Sequence, residues 1–518
     1  MTGERKGNVL FITVDQWRGD SMSALGHPLV ETPTLDALAA AGVLFANHWA
    51  NTAPCGPSRA SLHTGMYLQN HRSALNGTPL DARFTNVALE VRKAGYDPVL
   101  FGYTDTGVDP RTVAPGDPRL KTYEGVLPGF RPIVNDPLDK GAVEWGKWLA
   151  ARGREVPSNP QLLYKPDLSY PGASDHPYSW APSQITAEET ETAFMVEKLI
   201  EYLTAHGDEP FFIHASFIRP HPPYRNPPGY HDLYSPDDIP PFVAHPTRAA
   251  ERAMHPLNDV LLILPPLAAP DDEAERRQMR ATYHGMQKEV DDQLGRLFAW
   301  LDNAGLTDNT LVVLTSDHGE MGGDHWCFEK AGYWDQSYYI PLVIRDPRPE
   351  ANATRGSVVR AYTENVDVMP TILDWLGCEI PNQADGWPLT PWLEGGAAPP
   401  NWRTEAHYEW DFRHPATKLA ERYLSIPSAH CVLNVVRSDR YKYVQFAADS
   451  RLLPPLLFDL AADPGQLTSV ASSTEYRDVA WEMTQTLLQW RMRNDERTLV
   501  NQFLDPYRGL VVAEDTWR

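Results

Sequence analysis

Unbroken runs of apolar residues recur along the first two-thirds of the chain, and several of them end in acidic residues. The sequence NVLFITVD occupies residues 8–15, and NTLVVLTSDHG occupies residues 309–319. Shorter runs of the same kind are DPVLFGY at 97–103, PFFIHASF at 210–217 and IPLVIRD at 340–346. A strand that is buried on both faces of a parallel sheet shows this continuous pattern rather than an alternating one. Each run is therefore predicted to be a buried strand.

Between these runs, apolar residues recur at the spacing of amphipathic helices. TPTLDALAAAG predicts a short helix closed by Gly42. TAEETETAFMVEKLIEYLTAHG predicts a longer helix that opens on a capping box of Thr186 and Glu189. Its predicted apolar face is Ala193, Val196, Ile200 and Leu203, and a second long helix should bury Met279, Tyr283, Met286, Val290, Leu294 and Leu297. Strands that alternate with helices predict an α/β fold: a large, mostly parallel central sheet with helices on both faces.

The pattern changes near residue 400. CVLNVVRSDRYKYVQFA contains short β-rich segments separated by a polar turn, and a helix is predicted around YRDVAWEMTQTLLQWRMR. We therefore predict an α/β domain over 1–400 and a smaller C-terminal α+β subdomain over 401–518, which begins somewhere between 375 and 430. The segment from 105 to 185 is rich in Pro, Gly and Asp. Long ordered loops tend to be functional, so this segment is expected to run over the functional site.

Composition excludes several classes of protein. The chain has 518 residues, of which 42% are hydrophobic and 22% charged, and its formal net charge is -22. This acidic balance argues against a nucleic-acid partner. No run of about 18 apolar residues predicts a membrane span, and the start MTGERKGNVLFITVDQW does not resemble a signal peptide. The four cysteines lack the spacing of disulfide or zinc frameworks, so a cytoplasmic protein is the simplest expectation.

Potential metal ligands follow two of the predicted strands. Asp15 comes directly after the first strand, and Asp317 with His318 comes after the strand at 309–319. Open α/β sheets bind ligands beyond the carboxyl ends of their strands. Carboxylates suit hard divalent cations, and an imidazole widens the choice toward manganese or zinc. Each residue alone could be a cap or turn residue, but their occurrence at two strand ends favours a metal site.

The stretch NTAPCGPSRASLHTG at 51–65 contains a single cysteine. Pro57 can open a helix that Gly65 closes, which puts Cys55 at a helix N-terminus and Arg59 one turn further on. The helix dipole and the free N–H groups favour negative charge there. An activated thiolate or an anion site is one interpretation, and a buried inert cysteine is the other.

These residues carry a resemblance to a known family. CGPSRASLHTG matches the signature of the sulfatase family of the alkaline phosphatase superfamily, in which the cysteine is converted to formylglycine and its hydrated form is the nucleophile. The similarity extends through VDQWRGD, GYTDT, SDHGE, DVMPTILDWLG and SDRYKYV, over nearly the whole chain. NHRSALN, DPRTVAPGDPR and RPHPPY resemble the branch of phosphonate monoester hydrolases and related arylsulfatases.

The resemblance implies a role for individual residues. It assigns one divalent ion (Mn, Ca or Mg) to Asp15, Asp317, His318 and the modified Cys55, and it makes Arg59 the residue that orients the formylglycine. It also places four residues around the bound anion and its leaving group, namely Asn76, Tyr103, His221 and Lys330. His221 or Lys330 would act as general acid. Without the resemblance, these four would be ordinary loop, strand-end or surface residues.

Several positions depart from the pattern of the family. Gln16 stands where many sulfatases have a second metal-binding Asp, and His318 where many have Asn, which suggests a site that tolerates manganese. Asp105 replaces the Thr of similar phosphonate monoester hydrolases, and Glu329 replaces the usual glycine before the lysine. An acid beside an anionic substrate is unfavourable unless a cation neutralises it. Asp105 therefore moves the expectation from phosphonates toward sulfates.

The predicted function is an arylsulfatase-like hydrolase with broad activity on singly charged esters. The alternatives are a phosphonate monoester hydrolase or phosphodiesterase and, in another class, a non-catalytic anion-binding relative. Expected partners are a small sulfate, phosphonate or phosphodiester substrate and a formylglycine-generating maturation enzyme, with no nucleic acid and no membrane. Trp326 and Trp334 are candidates for an aryl-binding wall, although core aromatics are as plausible. The tail NDERTLVNQFLDPYRGLVVAEDTWR is expected to reach a second subunit of a homo-oligomer, a tetramer or dimer.

Overall fold

The central feature of the computed structural model is an eight-stranded sheet. The structure describes residues 7–264, 267–396 and 398–513, so residues 1–6 and the last five residues of the tail lie outside it. The sheet has the strand order β10-β2-β9-β7-β1-β6-β4-β5. Its strands are β1 (Asn8–Val14), β2 (Val43–Phe45), β4 (Val99–Phe101), β5 (Arg131–Val134), β6 (Phe212–Phe217), β7 (Thr310–Thr315), β9 (Leu342–Arg345) and β10 (Ser357–Val359).

Both faces of this sheet are covered, as the unbroken apolar runs predict. Successive side chains of a strand point to opposite faces, and every residue of β1 is buried. Leu10, Ile12 and Val14 join one hydrophobic core, and Val9 and Phe11 join the core on the other face. The sheet thus has a hydrophobic core on each side, and the predicted α/β fold is confirmed.

The helices include each one that the sequence predicts. They are α1 (Pro33–Ala41), α2 (Cys55–Thr64), α3 (Leu68–His71), α4 (Val87–Lys93), α5 (Val143–Ala151), α6 (Glu191–His206), α7 (Arg248–Met254), α8 (Pro256–Leu261), α9 (Glu273–Asn303), α10 (Asp335–Tyr338), α11 (Val368–Trp375), α12 (Thr390–Leu393), α13 (Leu419–Leu424) and α14 (Arg477–Arg493). The predicted start of α6 is wrong. The capping box of Thr186 and Glu189 opens a short 3-10 helix (Ala187–Glu189), and Thr190 caps α6 by accepting the N–H of Ala193.

Parallel pairing brings four strand ends to one edge of the sheet. β7, β1, β6 and β4 are neighbours in the sheet, and each of them pairs in parallel with the next. β9 is the exception, since it runs antiparallel to both β7 and β2. The loops that follow the four parallel strands therefore lie side by side, where open α/β sheets place their ligands.

The segment from 105 to 185 is more structured than predicted. It supplies β5 to the edge of the sheet, and α5 packs against α6. Trp145 of α5 is fully buried and donates its indole N–H to the carbonyl of Glu189 at 2.9 Å. β5 and α5 thus pack beside the sheet, and the expectation of a long loop over the site is wrong for these two elements.

Smaller sheets complete the fold. β3 (His48–Trp49), β8 (Tyr339–Ile340) and β11 (Thr363–Glu364) form a three-stranded sheet. β12 (Ala406–Asp411), β13 (Val432–Arg437), β14 (Tyr441–Phe446) and β15 (Leu456–Asp459) form an antiparallel sheet against which α14 packs. β16 (Gln502–Asp505) and β17 (Gly509–Val512) form a terminal hairpin. The division at residue 400 stays a prediction. Among the described residues, no helix combines the length and apolarity needed to cross a membrane.

Candidate active site

Two neighbouring strands deliver acidic side chains to the same edge of the sheet. β1 and β7 run parallel with Thr13 opposite Thr315, so the residues that follow them lie close together. Asp15 follows β1, and Asp317 with His318 follows β7. All three side chains are buried. The structure thus brings together the side chains that the strand ends predict.

The guanidinium of Arg59 lies between the two carboxylates. Its Nη2 donates to Asp15 Oδ2 at 2.8 Å, and its Nε donates to Asp317 Oδ2 at 2.9 Å. Its Nη1 donates to the hydroxyl of Ser216 at 2.6 Å. The planar guanidinium group of an arginine can donate hydrogen bonds to several acceptors at once in this geometry. Since α2 also carries Cys55, one helix fixes both the cysteine and the carboxylates, and the implied contact of Arg59 with a modified residue 55 stays a prediction.

Cys55 begins α2, as predicted, and Gly65 closes the helix in the left-handed conformation. Its Sγ lies 3.1 Å from His318 Nε2 and 4.0 Å from Asp15 Oδ1. Burial and the charge of Asp15 raise the pKa of the Cys55 thiol well above its ordinary value. Burial and the neighbouring carboxylate therefore favour the neutral thiol, against the influence of the helix N-terminus, and the interpretation of Cys55 as an activated thiolate stays a prediction.

The carboxyl groups carry more negative charge than Arg59 offsets. Burial and Asp317 raise the pKa of Asp15 to about 6, against the influence of Arg59. Burial alone would raise the pKa of Asp317 too, but His318 and Arg59 lower it below its usual value. Asp105 adds a third carboxyl group, with Oδ2 at 3.4 Å from Arg59 Nε. Three buried carboxyl groups around one guanidinium favour an additional bound cation.

His318 turns one ring nitrogen toward the carboxylates and anchors the ring with the other. Nδ1 lies 3.1 Å from the carbonyl of Gly319, so a proton on Nδ1 leaves Nε2 free to accept or to ligate. Nε2 lies 3.7 Å from Asp15 Oδ1 and 3.6 Å from Asp317 Oδ2. One donor atom each of Asp15, Cys55, Asp317 and His318 lies within 4.8 Å of the others. Two carboxylates, an imidazole and the heteroatom of residue 55 fit a divalent cation.

A hydrogen-bond network that the sequence analysis missed holds Lys330 beside this cluster. Lys330 Nζ donates to Gln16 Oε1 at 2.6 Å and to Glu329 Oε2 at 3.1 Å. Gln16 donates its backbone N–H to Asp317 Oδ1 at 3.1 Å and its side-chain amide to Glu320. Gln16 and Glu320 are 304 residues apart in the sequence, so no local pattern reveals the pair. The side chain of Gln16 thus holds Lys330 in place.

The two candidates for the general acid differ in their available protons. His221 places Nδ1 at 2.9 Å from the carbonyl of Pro222, which assigns the proton of the neutral ring to Nδ1. Burial and the charge of Lys330 lower the pKa of His221 to about 4. Burial alone would also lower the pKa of Lys330, but Cys55 and Glu329 raise it well above its ordinary value. At neutral pH the Lys330 ammonium can donate to a leaving oxygen, whereas His221 Nε2 can only accept.

The remaining predicted substrate-binding residues border the start of α2. Asn76 Oδ1 accepts the N–H of Gly56 at 2.8 Å, which leaves the side-chain NH₂ as its donor. Tyr103 follows β4, and its ring centroid lies 5.4 Å from Arg59 Cζ. Asp105 is buried with a left-handed φ of 52°, and its Oδ1 has no hydrogen-bond partner within the described ranges. Burial raises the pKa of Asp105 to about 8, although Arg59 opposes the shift.

The two tryptophans proposed as an aryl-binding wall have other surroundings. Trp334 is fully buried and stacks on His325, with their ring centroids 4.9 Å apart. Trp326 donates its indole N–H to the carbonyl of His245 at 2.9 Å, and its ring lies 4.1 Å from the Arg276 guanidinium. The core interpretation is therefore correct for Trp334.

Comparison with known proteins agrees with this geometry. A family model described as "Sulfatase" matches residues 7–378, and one described as "N-sulphoglucosamine sulphohydrolase, C-terminal" matches residues 323–493. The chain is 41% identical over 517 residues to a multifunctional alkaline phosphatase superfamily protein, PehA, of Trinickia caryophylli, and the match covers 96% of this chain and 98% of the relative. It is 28% identical over 480 residues to an arylsulfatase of Clostridium perfringens, covering 91% and 92% of the two chains.

A solved structure resembles this one along its whole length. The crystal structure of a phosphonate monoester hydrolase of Agrobacterium radiobacter superposes with a TM-score of 0.92 and 44% sequence identity. The superposition covers 98% of this chain and 100% of the other.

Proposed function

Since the chain belongs to the sulfatase family, within the alkaline phosphatase superfamily, we propose that it cleaves singly charged sulfate esters and also accepts phosphonate monoesters and phosphodiesters. Members of this family are hydrolytic enzymes, which disfavours the non-catalytic alternative. The observation that carries the proposal is the cluster of Asp15, Cys55, Asp317 and His318. All three substrate types present a tetrahedral group with a single negative charge, so one pocket can bind each of them.

The family implies a metal ion and a formylglycine. Asp15, Asp317 and His318 would hold the ion together with an oxygen on residue 55. A divalent ion there supplies a Lewis acid that neutralises charge on the transferring group. The imidazole donor favours manganese alongside calcium and magnesium. Residue 55 gains two hydroxyl groups as a hydrated formylglycine, and this conversion requires a maturation enzyme as a partner.

The chain's own residues bind and orient the anion. Two of the three Lys330 N–H donors are taken by Gln16 and Glu329 within the described ranges, and the third is directed to the substrate or its leaving oxygen. Asn76 offers its NH₂ group because Gly56 occupies its carbonyl oxygen. Donors that are already held in place need no reorganisation when charge develops on the transferring group.

The position of Asp105 supports a preference for sulfate esters over phosphonate monoesters as substrates. It places a further carboxyl group against Arg59, and its Oδ1 lies buried without a partner among the described residues. When Asp105 is ionised, it repels a sulfate ester, which spreads its single charge over three oxygens, less than a phosphonate monoester, which concentrates that charge on two.

The test compares an aryl sulfate with an aryl phosphonate that share one leaving group, using enzyme whose residue 55 has been checked by mass. We expect kcat/KM to favour the sulfate more than tenfold, about 1.4 kcal/mol of transition-state stabilisation. Cys55→Ala should abolish turnover of both esters, and unchanged turnover in that variant would refute the mechanism.

The second candidate is a phosphonate monoester hydrolase. It is favoured by the superposition with the phosphonate monoester hydrolase of Agrobacterium radiobacter over the full chain at 44% identity. A preference for the phosphonate in the same comparison would establish this function and make Asp105 a tolerated variation.

We also propose that the terminal hairpin contacts a second copy of the chain. It exposes large apolar side chains, including Phe503 at 59%, Leu504 at 79% and Tyr507 at 96%. Exposed apolar surface of this kind is typical of protein interfaces. Light scattering should show a smaller oligomer when residues 501–518 are deleted or when Phe503→Ser and Leu504→Ser are combined, and an unchanged mass in both would contradict the proposal.

A further inference from the structure

A polar cavity of about 600 Å³ lies between α14, the start of β12 and the loop before α12. Its lining includes Asp385, Trp402, His407, Arg493 and Arg497. We propose that this cavity is a second anion site, which binds a sulfate ion or the carboxylate of a small organic acid. The inference does not rest on the proposed hydrolysis, because the residues placed in the candidate active site do not line this cavity.

The cavity lies at the opposite end of α2 from Cys55. Tyr67, which follows α2, lines the cavity, and Asp385 Oδ2 accepts its backbone N–H at 2.8 Å. Asp385 also donates its own backbone N–H to the carbonyl of Gly65, the residue that closes α2, at 2.7 Å. Since α2 has ten residues, about 15 Å of helix separates this cavity from an ester bound at Cys55.

Two buried side chains of the lining carry polar atoms without hydrogen-bond partners. Asp385 is 1% exposed and His407 is 3% exposed. Among the described residues, neither ring nitrogen of His407 nor Oδ1 of Asp385 has a hydrogen-bond partner. Arg497 Nη1 lies 3.8 Å from Asp385 Oδ1, which is too far for a hydrogen bond. Buried polar atoms are normally paired, so a ligand or water in the cavity is expected to supply the missing bonds.

The ring of His407 is fixed and can both donate and accept. It stacks on Trp490, with the ring centroids 4.6 Å apart and the planes nearly parallel. Burial and the charge of Arg403 lower the pKa of His407 well below its ordinary value. The neutral ring therefore offers one N–H donor and one acceptor to the cavity.

The arginines of the lining favour a negative ligand over water. Arg403 is already paired, since its Nη2 donates to Asp367 Oδ1 at 2.9 Å. Arg493 donates to Gln489 Oε1 at 3.4 Å, and the described residues offer it no carboxylate at ion-pair distance. Arg497 uses Nη2 to bond a backbone carbonyl at 2.7 Å. Two guanidinium groups without a carboxylate at hydrogen-bond distance match the geometry of an oxyanion.

The two acids of the lining leave room for such an anion. Glu405 accepts the hydroxyl of Thr404. Burial raises the pKa of Asp385 to about 7. Because its Oδ2 already accepts from Tyr67 and Asn70, a proton on this carboxyl group belongs on Oδ1, which can then donate to an anion in the cavity.

Aromatic rings form another part of the wall. Trp387 and Trp402 both line the cavity, with their ring centroids 5.7 Å apart in an edge-to-face arrangement. A ring attached to a carboxylate can pack against these faces, whereas a sulfate ion cannot. Comparing the two anions therefore distinguishes an organic acid from the ion that the proposed reaction releases.

The test titrates the metal-loaded enzyme with sulfate and with benzoate, followed by calorimetry. Wild type should bind at least one of the two anions at a site that Arg493→Gln weakens at least tenfold, because the variant loses a charge-assisted hydrogen bond. KM for an aryl sulfate should stay unchanged in this variant. Tighter Arg493-dependent binding of benzoate would identify an organic acid as the ligand, and tighter binding of sulfate would identify the product ion.

Arg477→Gln is the matched control. It removes the same charge from an exposed arginine at the other end of α14, outside the lining, and should leave both affinities within twofold of wild type. The bound anion should also raise Tm of wild type and Arg477→Gln more than that of Arg493→Gln. Equal affinity of wild type and Arg493→Gln for both anions would overturn the inference. An equal loss in the two arginine variants would also overturn it, since net charge alone would then explain the binding.

Discussion

Arg59 is the residue on which the geometry of the candidate site depends most. It is 1% exposed, and it donates to Asp15, Asp317 and Ser216 from three different nitrogens. A lysine at this position has one ammonium group, which cannot reach acceptors on three strand ends at once. The two carboxylates therefore owe their relative position to one side chain.

Arg59→Lys should weaken metal binding by 10–100-fold, in line with losses of groups that orient metal ligands. The reason is that Asp15 and Asp317 lose their shared donor and no longer present their oxygens together. Titration with manganese, followed by calorimetry, measures the change. Arg111→Lys is a matched control, since Arg111 is an exposed arginine paired with Asp109. Equal manganese affinity in wild type and Arg59→Lys would contradict this account.

The residues that could be predicted for the site are those that follow strands or belong to a dense motif. Asp15, Asp317 and His318 could be placed together because parallel strands end at a common edge. The link from Lys330 through Gln16 to Glu320 could not be predicted, because its members meet only after folding. The carboxylate that faces Cys55 could not be predicted for the same reason, although the helix N-terminus at Cys55 could.

Strands and helices could be predicted where the local pattern of apolar residues matches the residues that are buried in the structure. The apolar runs give β1, β6 and β7, and the stripe from Tyr283 to Leu297 gives α9. The direction of β9 was not predictable, since its sequence IPLVIRD suits a strand of either direction. The start of α6 was misplaced because two capping signals, at Thr186 and Thr190, lie four residues apart and both are satisfied.

The contact between α6 and α9 contains a buried acid that should make stability depend on pH. Glu289 of α9 accepts the hydroxyl of Thr190 at 2.6 Å and that of Thr192 at 2.9 Å. Burial, only partly offset by these hydroxyls, raises the pKa of Glu289 from 4.5 to about 7. The folded state therefore holds a proton that the unfolded state releases, so stability falls as the pH rises from 4.5 to 7.

Glu289→Gln should remove this dependence. Relative to wild type, the free energy of unfolding of the variant should rise by about 2.5 kcal/mol between pH 5 and pH 8. Urea denaturation at the two pH values measures the difference. Glu188→Gln, at an exposed acid of the preceding turn, should show the same difference from wild type at both pH values. If the free energy of unfolding of Glu289→Gln differs from that of wild type by the same amount at pH 5 and pH 8, Glu289 is ionised in the folded protein at both pH values.

Elements that are far apart in the sequence together form the candidate active site. β1, β4, β6 and β7 each supply a loop, and α2 supplies Cys55 and Arg59. The general architecture could be predicted because alternating strands and helices leave few alternatives. The contact between α2 and the end of β7 could not, because Arg59 and Asp317 are 258 residues apart in the sequence.

Chelation should lower the thermal stability of the whole molecule. The Asp15 and Asp317 carboxylates repel each other unless a cation is bound, and a ligand at 100 times its Kd stabilises the folded state by about 2.7 kcal/mol. Manganese added to the chelated enzyme should therefore raise Tm by about 2–3 °C, as followed by calorimetry. Asp15→Asn removes one ligand and one charge, so it should show a smaller manganese response. An identical response in that variant would place the stabilising ion elsewhere.

The burial of Cys55 determines when it can be modified. Its side chain is 4% exposed, and it lies beside the ends of β1 and β7, where Gln16 bonds Asp317 across 301 residues of sequence. The proposed conversion to formylglycine therefore requires the modifying enzyme to reach Cys55 before the chain has folded around it. Conversion and folding would then compete, and slower formation of this long-range sheet would favour conversion.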